Sequence, residues 1–466
     1  MAYRDLRQFL SRLEAEGELA RVKARVDLEY EVGAICRKVL DARGPALLFE
    51  QAGGSAHPLA TDLLATRRRM ALALETEPSR LMADWIERTG HPVRPTIVST
   101  GPCKENIVKG DDVDLFRFPI PVWNAQDGGP FITLSIHISR DPETGEYNAA
   151  VYRSHVHDRR TLGIAAAPYR HISQHRAKAL ARGEPFPVAI VLGVDPSILI
   201  ASVSPFPFGV DELAMAGALR GEPLELVRCE TIPLYVPAHA EIVLEGEMPP
   251  GVLHKEGPFG EFTGYYGIDN QRPVIEIKAI TYRNGAIHQA SYEGKPPQET
   301  NVLQAVSIEG ETLKNVPLPG IVAINVTEGG CGAFNAVVSI QKRFEGYGKM
   351  MGMAVLGTWA GRLMKNVIIV DEDIDPYNWT EVEWALATRV QPHRDVDIIQ
   401  EVTGIHLDPS MPLHERLTGH SRTSKMIIDA TKHDAKEFEI VCSPQVEAVE
   451  RVEQNWARYG INLPRR

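Results

Sequence analysis

No stretch of roughly 18 consecutive apolar residues occurs in the 466-residue chain, so no segment has the composition of a membrane-spanning helix. The opening MAYRDLRQFL carries acidic and basic residues and no apolar run, so a signal peptide is not expected. A cytoplasmic location follows, with no membrane partner. Cysteine is sparse: five residues, at 36, 103, 229, 331 and 442, widely spaced and without a C-x-x-C. That argues against a disulfide framework and a zinc site, leaving free thiols in a reducing compartment. Basic runs are short as well. The densest is Arg67-Arg68-Arg69, in a chain with 50 Lys and Arg against 61 Asp and Glu, net −11. No nucleic-acid partner is therefore expected. No nucleotide-binding glycine fingerprint, internal repeat or low-complexity tract is present.

What is present is ordinary globular material, 44% hydrophobic and 24% charged, long enough for two or three domains. Leu6, Phe9, Leu10 and Leu13 recur at helical spacing and stop at Gly17. The residues from Leu28 to Leu40 repeat the pattern, the run from Pro45 to Glu50 reads as a strand, and helices are expected near 66–76 and 79–89. From about 97 to 293 strands dominate. Phe131–Ser139 and Glu146–Arg153 flank the turn-rich Asp141–Gly145, which predicts a hairpin. Pro273–Tyr282 and Ala286–Tyr292 flank Asn284-Gly285, which predicts another. A helix at 171–182, a strand at 187–194, a short helix starting at Val210 and a strand at Ala240–Met248 lie between them. The pattern suggests a barrel-like core with inserted helices. Beyond Asn301 a helix (Val302–Leu313) precedes strands Ile321–Val326, Ala336–Ile340 and Val367–Val370, which alternate with helices near 345–357 and 379–388. This predicts a second α/β unit. At the end, Val446, Val449, Val452 and Trp456 fall near one helical face.

Four windows carry candidate chemistry. Glu256-Gly-Pro-Phe-Gly-Glu261 sets two carboxylates five residues apart on a loop shaped by Pro and Gly. Two carboxylates in one cleft push their proton affinities apart, which suits acid–base work; the same residues also read as a solvated turn. Asn148 and Arg153 lie on the second strand of the first hairpin, and Arg offers a planar fork for a carboxylate. Their separation gives them opposite parity, so they share a cavity only if the strand bends, bulges or ends between them. His171 falls at a helix start, where backbone N–H groups favour an anion, and His171 with His175 has a weak metal-pair spacing. Ala201–Glu212 is a proline-punctuated loop ending in Asp211 and Glu212, which read as helix caps or as ligands. An amide oxygen, an imidazole and a carboxylate together suit Mn²⁺ or Mg²⁺.

Taken together, these windows resemble the UbiD decarboxylases. The resemblance rests on Asp114–Pro121 (DLFRFPIP), Asp127-Gly-Gly-Pro130, then Asn148, Arg153, His171, Glu212 and E-G-P-F-G-E at 256–261. Val338–Arg343 and Val370–Asp375 are similar to that family too. It implies an α/β (α+β) fold: an N-terminal α/β segment (1–110), a split β-barrel binding prenylated FMN (111–300), a linking helix (301–315), a C-terminal α/β oligomerisation domain (316–440) and a terminal helix (441–466). It implies that Asn148, His171 and Glu212 hold Mn²⁺ against the flavin phosphate. K⁺ would lie near Ala201, Ser202 and Ser204, with Glu212 shared. Ala149, Arg153, Arg170, Ser202 and Lys365 are further expected cofactor contacts, Lys365 at the phosphate. Arg153, Glu256 and Glu261 would form the catalytic network.

The implied activity is reversible, non-oxidative decarboxylation of an unsaturated aromatic or heteroaromatic carboxylic acid. Loss of CO2 from an sp² carbon needs an electron sink, which the cofactor supplies. Arg153 would orient the carboxylate, Glu261 would protonate the carbon, and Glu256 would hold Arg153. A flavin prenyltransferase is implied as cofactor supplier, and the chain is expected to form a homodimer or homohexamer. The competing readings are a conventional flavin reductase and a non-catalytic accessory subunit on the same fold. The loop Gly294–Asn301 is expected near the substrate.

Overall fold

The structure, a computed structural model, describes residues 2–418, 421–434 and 437–462. It is a mixed α/β assembly with four sheets. The first helix, Leu6–Ala15, buries Leu6, Phe9, Leu10 and Leu13, the apolar stripe its spacing predicts. Asp5 caps it by accepting from Gln8 N. A four-stranded sheet follows (Leu19–Val26, Ala46–Ala52, Leu59–Thr61), completed by His288–Ala290 from far along the chain. That last strand corrects one expectation. Asn284-Gly285 does not join a hairpin: after Asn270–Tyr282 the chain leaves the central sheet, and His288–Ala290 pairs in parallel with Leu59–Thr61. The turn signal is local, whereas strand partnership is set by which sheet edge is free.

The central sheet has ten strands. The strand Phe186–Leu192 shows why it sits deep. Val188, Ile190 and Leu192 enter one apolar core and Ala189 and Val191 another, so both faces are covered. The hairpin of Ile136–Arg140 and Tyr147–Val151 forms as expected. Asp141 Oδ1 accepts from Glu143 N at 2.8 Å, and Gly145, at φ 79°, closes the turn. The hydrogen-bonded path runs from Phe131–Ile132 at one end to Tyr147–Val151 at the other, so the sheet stays open and is not a closed barrel. A three-stranded sheet (Thr96–Val98, Glu225–Arg228, Tyr235–Pro237) packs nearby.

Glu299–Asn315 forms one 17-residue helix. Val302, Leu303 and Val306 enter the large core, while Ala305 and Ile308 enter the core of the last sheet, so this helix ties the two together. The five-stranded last sheet has the order Ile321–Val326, Asn335–Ile340, Asn366–Asp371, Arg422–Ala430, Val396–Thr403. Its last two strands escaped the sequence reading because Val396–Thr403 and Arg422–Ala430 carry several exposed or half-buried polar residues. The terminal helix spans Val446–Gln454 and buries no residue; residues 463–466 of the expected terminal segment lie outside the described residues. Among the described residues no helix is long and apolar enough to cross a membrane.

Beneath the loop after His288–Ala290 lie three buried acids, Asp62, Glu293 and Glu299. Burial pushes Glu293 up to about 8 and Asp62 to about 6, and raises Glu299 well above the usual range. Glu293 accepts from the Thr300 hydroxyl, and its Oε2 has no hydrogen-bond partner among the described residues. A carboxyl whose folded pKa is raised holds its proton more tightly when folded. Its stabilising contribution is complete below the unfolded value and is lost as pH rises toward about 8. The melting temperature should therefore fall between pH 5 and 9 by a few degrees more in the wild type than in Glu293→Gln. Parallel slopes in a thermal-melt series would refute this.

Candidate active site

The strand Tyr147–Val151 ends at Val151, and Ser154–Val156 starts a new strand with different partners. The break at Tyr152-Arg153 is the interruption that the opposite parity of Asn148 and Arg153 requires. Asn148 thus faces the helices and Arg153 the glutamate loop.

On the Arg153 side the loop 256–261 folds back over the guanidinium. Arg153 donates from Nε to Glu256 Oε1 at 2.8 Å and from Nη2 to Glu256 Oε2 at 2.7 Å. Nη1 donates to Glu261 Oε1. The guanidinium also lies 5.2 Å from the centroid of the Phe259 ring. The Glu256 side chain is 0% exposed and that of Glu261 10%, so a fork–fork pair sits in a water-poor environment, with Glu261 the more accessible of the two acids. Two glycines permit this. Gly257 has φ 91°, a region side chains avoid. A Cβ on Gly267 would lie 2.7 Å from Glu261 Oε1 and 3.0 Å from Arg153 Nη1. Asp127 pins the loop from outside, accepting from Gly260 N at 2.9 Å, while Gly128 N donates to Pro258 O at 2.8 Å.

On the other side Asn148, His171 and Glu212 converge. Asn148 Nδ2 lies 3.1 Å from His171 Nδ1 and 2.9 Å from Glu212 Oε1, and the last two atoms are 3.8 Å apart. His171 opens the helix His171–Ala181, and Glu212 opens Glu212–Arg220. Asp211 is the cap of that helix, accepting from Leu213 and Ala214 N, which frees Glu212 to point inward. Glu212 Oε2 accepts from Ala149 N at 3.0 Å. Asn148 Oδ1 is buried without a hydrogen-bond partner among the described residues. A half-turn of the amide brings this orphaned oxygen against the imidazole nitrogen and the carboxylate, and three acceptors facing one point suit a cation. His, Cys, Asp and Glu alone build no three-ligand cluster among the described residues, because the third donor here is an amide. The set fits a hard or borderline divalent ion.

Arg170 precedes His171, with its guanidinium 5.2 Å from the Tyr152 ring centroid. The expected loop at 201–212 is partly helix: Pro196–Val203 includes Ala201 and Ser202. Pro196 occupies its first turn and Asp195 caps it. Ser202 Oγ donates to Ile198 O at 2.8 Å and Ser204 Oγ to Ile200 O at 2.7 Å, while Ala201 O accepts from Ser204 N. Each hydroxyl oxygen keeps lone pairs for a cation. Lys365 is engaged elsewhere: its amine donates to Asp408 Oδ2 at 2.8 Å and Ser410 Oγ at 2.6 Å. His175, the second histidine of the weak pair, is buried and meets Ser139 and Asp141 instead. Sequence reasoning missed Phe208, which packs edge-on against His171 at 4.9 Å, and His406, whose Nδ1 lies 3.1 Å from Tyr169 Oη. Neither sits in a spacing pattern that could reveal it.

The geometry defines a site with a buried Arg–Glu–Glu network at one end and a cation-type ligand set at the other. Comparison with known proteins agrees along the chain. The N-terminal, Rift-related and C-terminal domain patterns of the 3-octaprenyl-4-hydroxybenzoate carboxy-lyase family match residues 10–89, 96–296 and 302–430. An uncharacterized protein of Archaeoglobus fulgidus is 38% identical over 455 residues, covering 93% of this chain and 92% of the relative. Among solved structures, the UbiD-class enzyme HmfF from Pelotomaculum thermopropionicum in complex with FMN is 36% identical. It aligns with a TM-score of 0.87 over 96% of this chain and 99% of its own. Vanillic acid decarboxylase of Sedimentibacter hydroxybenzoicus is 33% identical, with a TM-score of 0.86 over 99% and 100%. The 3,4-dihydroxybenzoic acid decarboxylase AroY of Klebsiella pneumoniae is 31% identical, with a TM-score of 0.86 over 97% and 99%. The chain belongs to the UbiD family and is a carboxy-lyase.

Proposed function

We propose that this enzyme uses prenylated FMN to decarboxylate an unsaturated aromatic or heteroaromatic acid without net oxidation. The observation that carries the reading is the continuous Arg153–Glu256–Glu261 network, one strand break away from the Asn148–His171–Glu212 set. The solved relatives support it: HmfF structures hold FMN and, in an evolved dimeric form, prenylated FMN.

When bound, the prenylated flavin supplies the electron sink for the charge left on carbon as CO2 departs. Asn148, His171 and Glu212 would hold Mn²⁺ at the flavin phosphate, with Ala149 N fixing the Glu212 carboxylate and Arg170 adding positive charge. Ala201, Ser202 and Ser204 would line a K⁺ site, sharing Glu212. For Lys365 to reach the phosphate, its amine would first have to leave Asp408. With its Nε–Nη2 edge held by Glu256, Arg153 orients the substrate carboxylate through its remaining Nη hydrogens. Glu261, the more accessible of the two acids, takes a proton and returns it to the carbon that lost CO2. Glu256 stays on Arg153 and holds the guanidinium in place. The test is co-expression with a flavin prenyltransferase, followed by the visible spectrum, metal analysis and CO2 release over a panel of aryl, heteroaryl and acrylic acids. A folded protein that takes up no modified flavin and no Mn²⁺ would overturn the reading.

The same proposal covers assembly. Val446, Val449 and Val452 are 68%, 39% and 39% exposed on the helix Val446–Gln454, and Trp456, 37% exposed, opens the turn Trp456–Tyr459 that follows; neither element buries a residue against the described chain. Such a stripe is unfavourable in water and suits a second copy, in a homodimer or homohexamer. Light scattering at micromolar concentration should give an oligomeric mass for the full chain and a smaller one after removal of residues 441–466. A monomeric full chain would refute this.

A further inference from the structure

The helix His171–Ala181 carries a cation ligand at its first residue, yet it buries only two apolar side chains, Ile172 and Ala179. A polar stripe fixes its position instead. His171, His175, Lys178 and Arg182 follow one another at helical spacing along one face, and each meets the hairpin of Ile136–Arg140 and Tyr147–Val151 or its turn. His171 Nδ1 lies 3.1 Å from the Asn148 amide, and His175 Nδ1 lies 3.2 Å from Ser139 Oγ. Lys178 Nζ donates to Asp141 Oδ2 at 2.6 Å, and Arg182 Nη1 to Pro142 O at 3.4 Å. Ser139 is the cross-strand register partner of Asn148. Two neighbours on the hairpin face therefore meet two neighbours on the helix face.

His175 is the buried link in this row. It is 3% exposed, and Ser139 is 0% exposed. Burial lowers its proton affinity, so the ring is neutral near pH 7. Nε2 faces the Asp141 carboxylate at 3.8 Å, which favours the proton on Nε2 and leaves Nδ1 to accept from the Ser139 hydroxyl. Phe208 packs edge-on against both imidazoles, 4.9 Å from His171 and 6.1 Å from His175, so the two rings stand side by side against one aromatic side chain. Asn148, His171 and Glu212 come from three separate elements, and no common backbone preserves their spacing.

We propose that His175 is a positioning residue for the cation site: through Ser139 it locks the helix to the hairpin and sets where His171 stands relative to Asn148. This rests on the cation-clamp reading and deepens it. Apolar contacts are non-directional and tolerate small slides of a helix, whereas a hydrogen bond between two buried groups weakens steeply away from one geometry. Removing either partner leaves the other unsatisfied, and the helix relieves that cost by shifting. The shift carries His171 with it.

The test titrates Mn²⁺ into the full-length protein supplied with FMN, reading affinity by calorimetry and free Mn²⁺ by electron paramagnetic resonance, with thermal melts on the same samples. His175→Leu and Ser139→Ala should each weaken Mn²⁺ binding about 10- to 100-fold, the range for groups that orient a metal ligand. The double variant should be no weaker than the worse single one, because both act through one hydrogen bond. His175→Asn, whose amide reaches the place of Nδ1, should recover most of the affinity. Ser139→Ala removes a single oxygen and decides the matter if His175→Leu does not fold. Variants that melt lower yet bind Mn²⁺ as tightly as wild type, additive losses, or no recovery in His175→Asn would each overturn the positioning role. A wild-type protein that binds no Mn²⁺ would overturn the cation-clamp reading itself and the positioning role with it, so the wild-type titration tells the two failures apart.

Discussion

Glu261→Gln should keep its cofactor, bind acid and lose at least ~10²- to 10⁴-fold in turnover, the range for one positioned general acid. Glutamine nearly matches glutamate in size, and its amide oxygen can still accept from Arg153 Nη1, the contact that Glu261 makes now. Packing and the orientation of the guanidinium are therefore preserved. The variant loses only the ability to take a proton and give it back. Incorporation of solvent deuterium into the decarboxylated product reads that step by itself. Arg153→Ala should behave differently, lowering both substrate affinity and turnover, because it removes the carboxylate's fork and leaves the wholly buried Glu256 side chain uncompensated. Glu256→Gln should fall between them. If Glu261→Gln turns over and exchanges like wild type, the acid is Glu256 or a bound water.

Glu212→Ala and His171→Ala should lose most of the bound flavin, whereas Glu261→Gln keeps it. The two residues belong to one cluster with Asn148, and Glu212 also fixes Ala149 N. Groups that merely orient a metal ligand are typically worth about 10- to 100-fold in affinity, so removing a ligand should cost at least that. Flavin-to-protein ratios after gel filtration, with manganese measured on the same fractions, check this. Equal occupancy in all three variants would sink the cation-clamp assignment, and so would flavin loss with manganese retained.

Three helices were legible: Leu6–Ala15 from the apolar spacing of Leu6, Phe9, Leu10 and Leu13, and His171–Ala181 and Glu299–Asn315 within a few residues of the expected 171–182 and Val302–Leu313. So was the hairpin at Asp141–Gly145, because Asp141 and Gly145 close that turn through contacts a few residues apart. Asn284-Gly285 carries an equally strong turn signal, yet the following strand pairs with a sheet begun more than 200 residues earlier. Local chemistry can bend the chain there but cannot choose the partner. The helix Pro196–Val203 was hidden because its buried, nearly all-apolar sequence has no polar face to mark a period.

The site divides in the same way. Sequence alone determined which groups are available: two carboxylates on a glycine-shaped loop, an arginine of the wrong parity to share a face with Asn148, and an acid after a helix cap. Those are properties of residue type and spacing, which short-range geometry preserves. Only the tertiary structure decided what each group meets. It ended the strand at Val151 so that Arg153 turned to Glu256 and Glu261, and it gave Lys365 to Asp408. It also carried His406 to Tyr169, 237 residues away along the chain. Charge interactions act through space with no regard for sequence distance, so residues more than 100 positions apart can share one field only after the domains have packed.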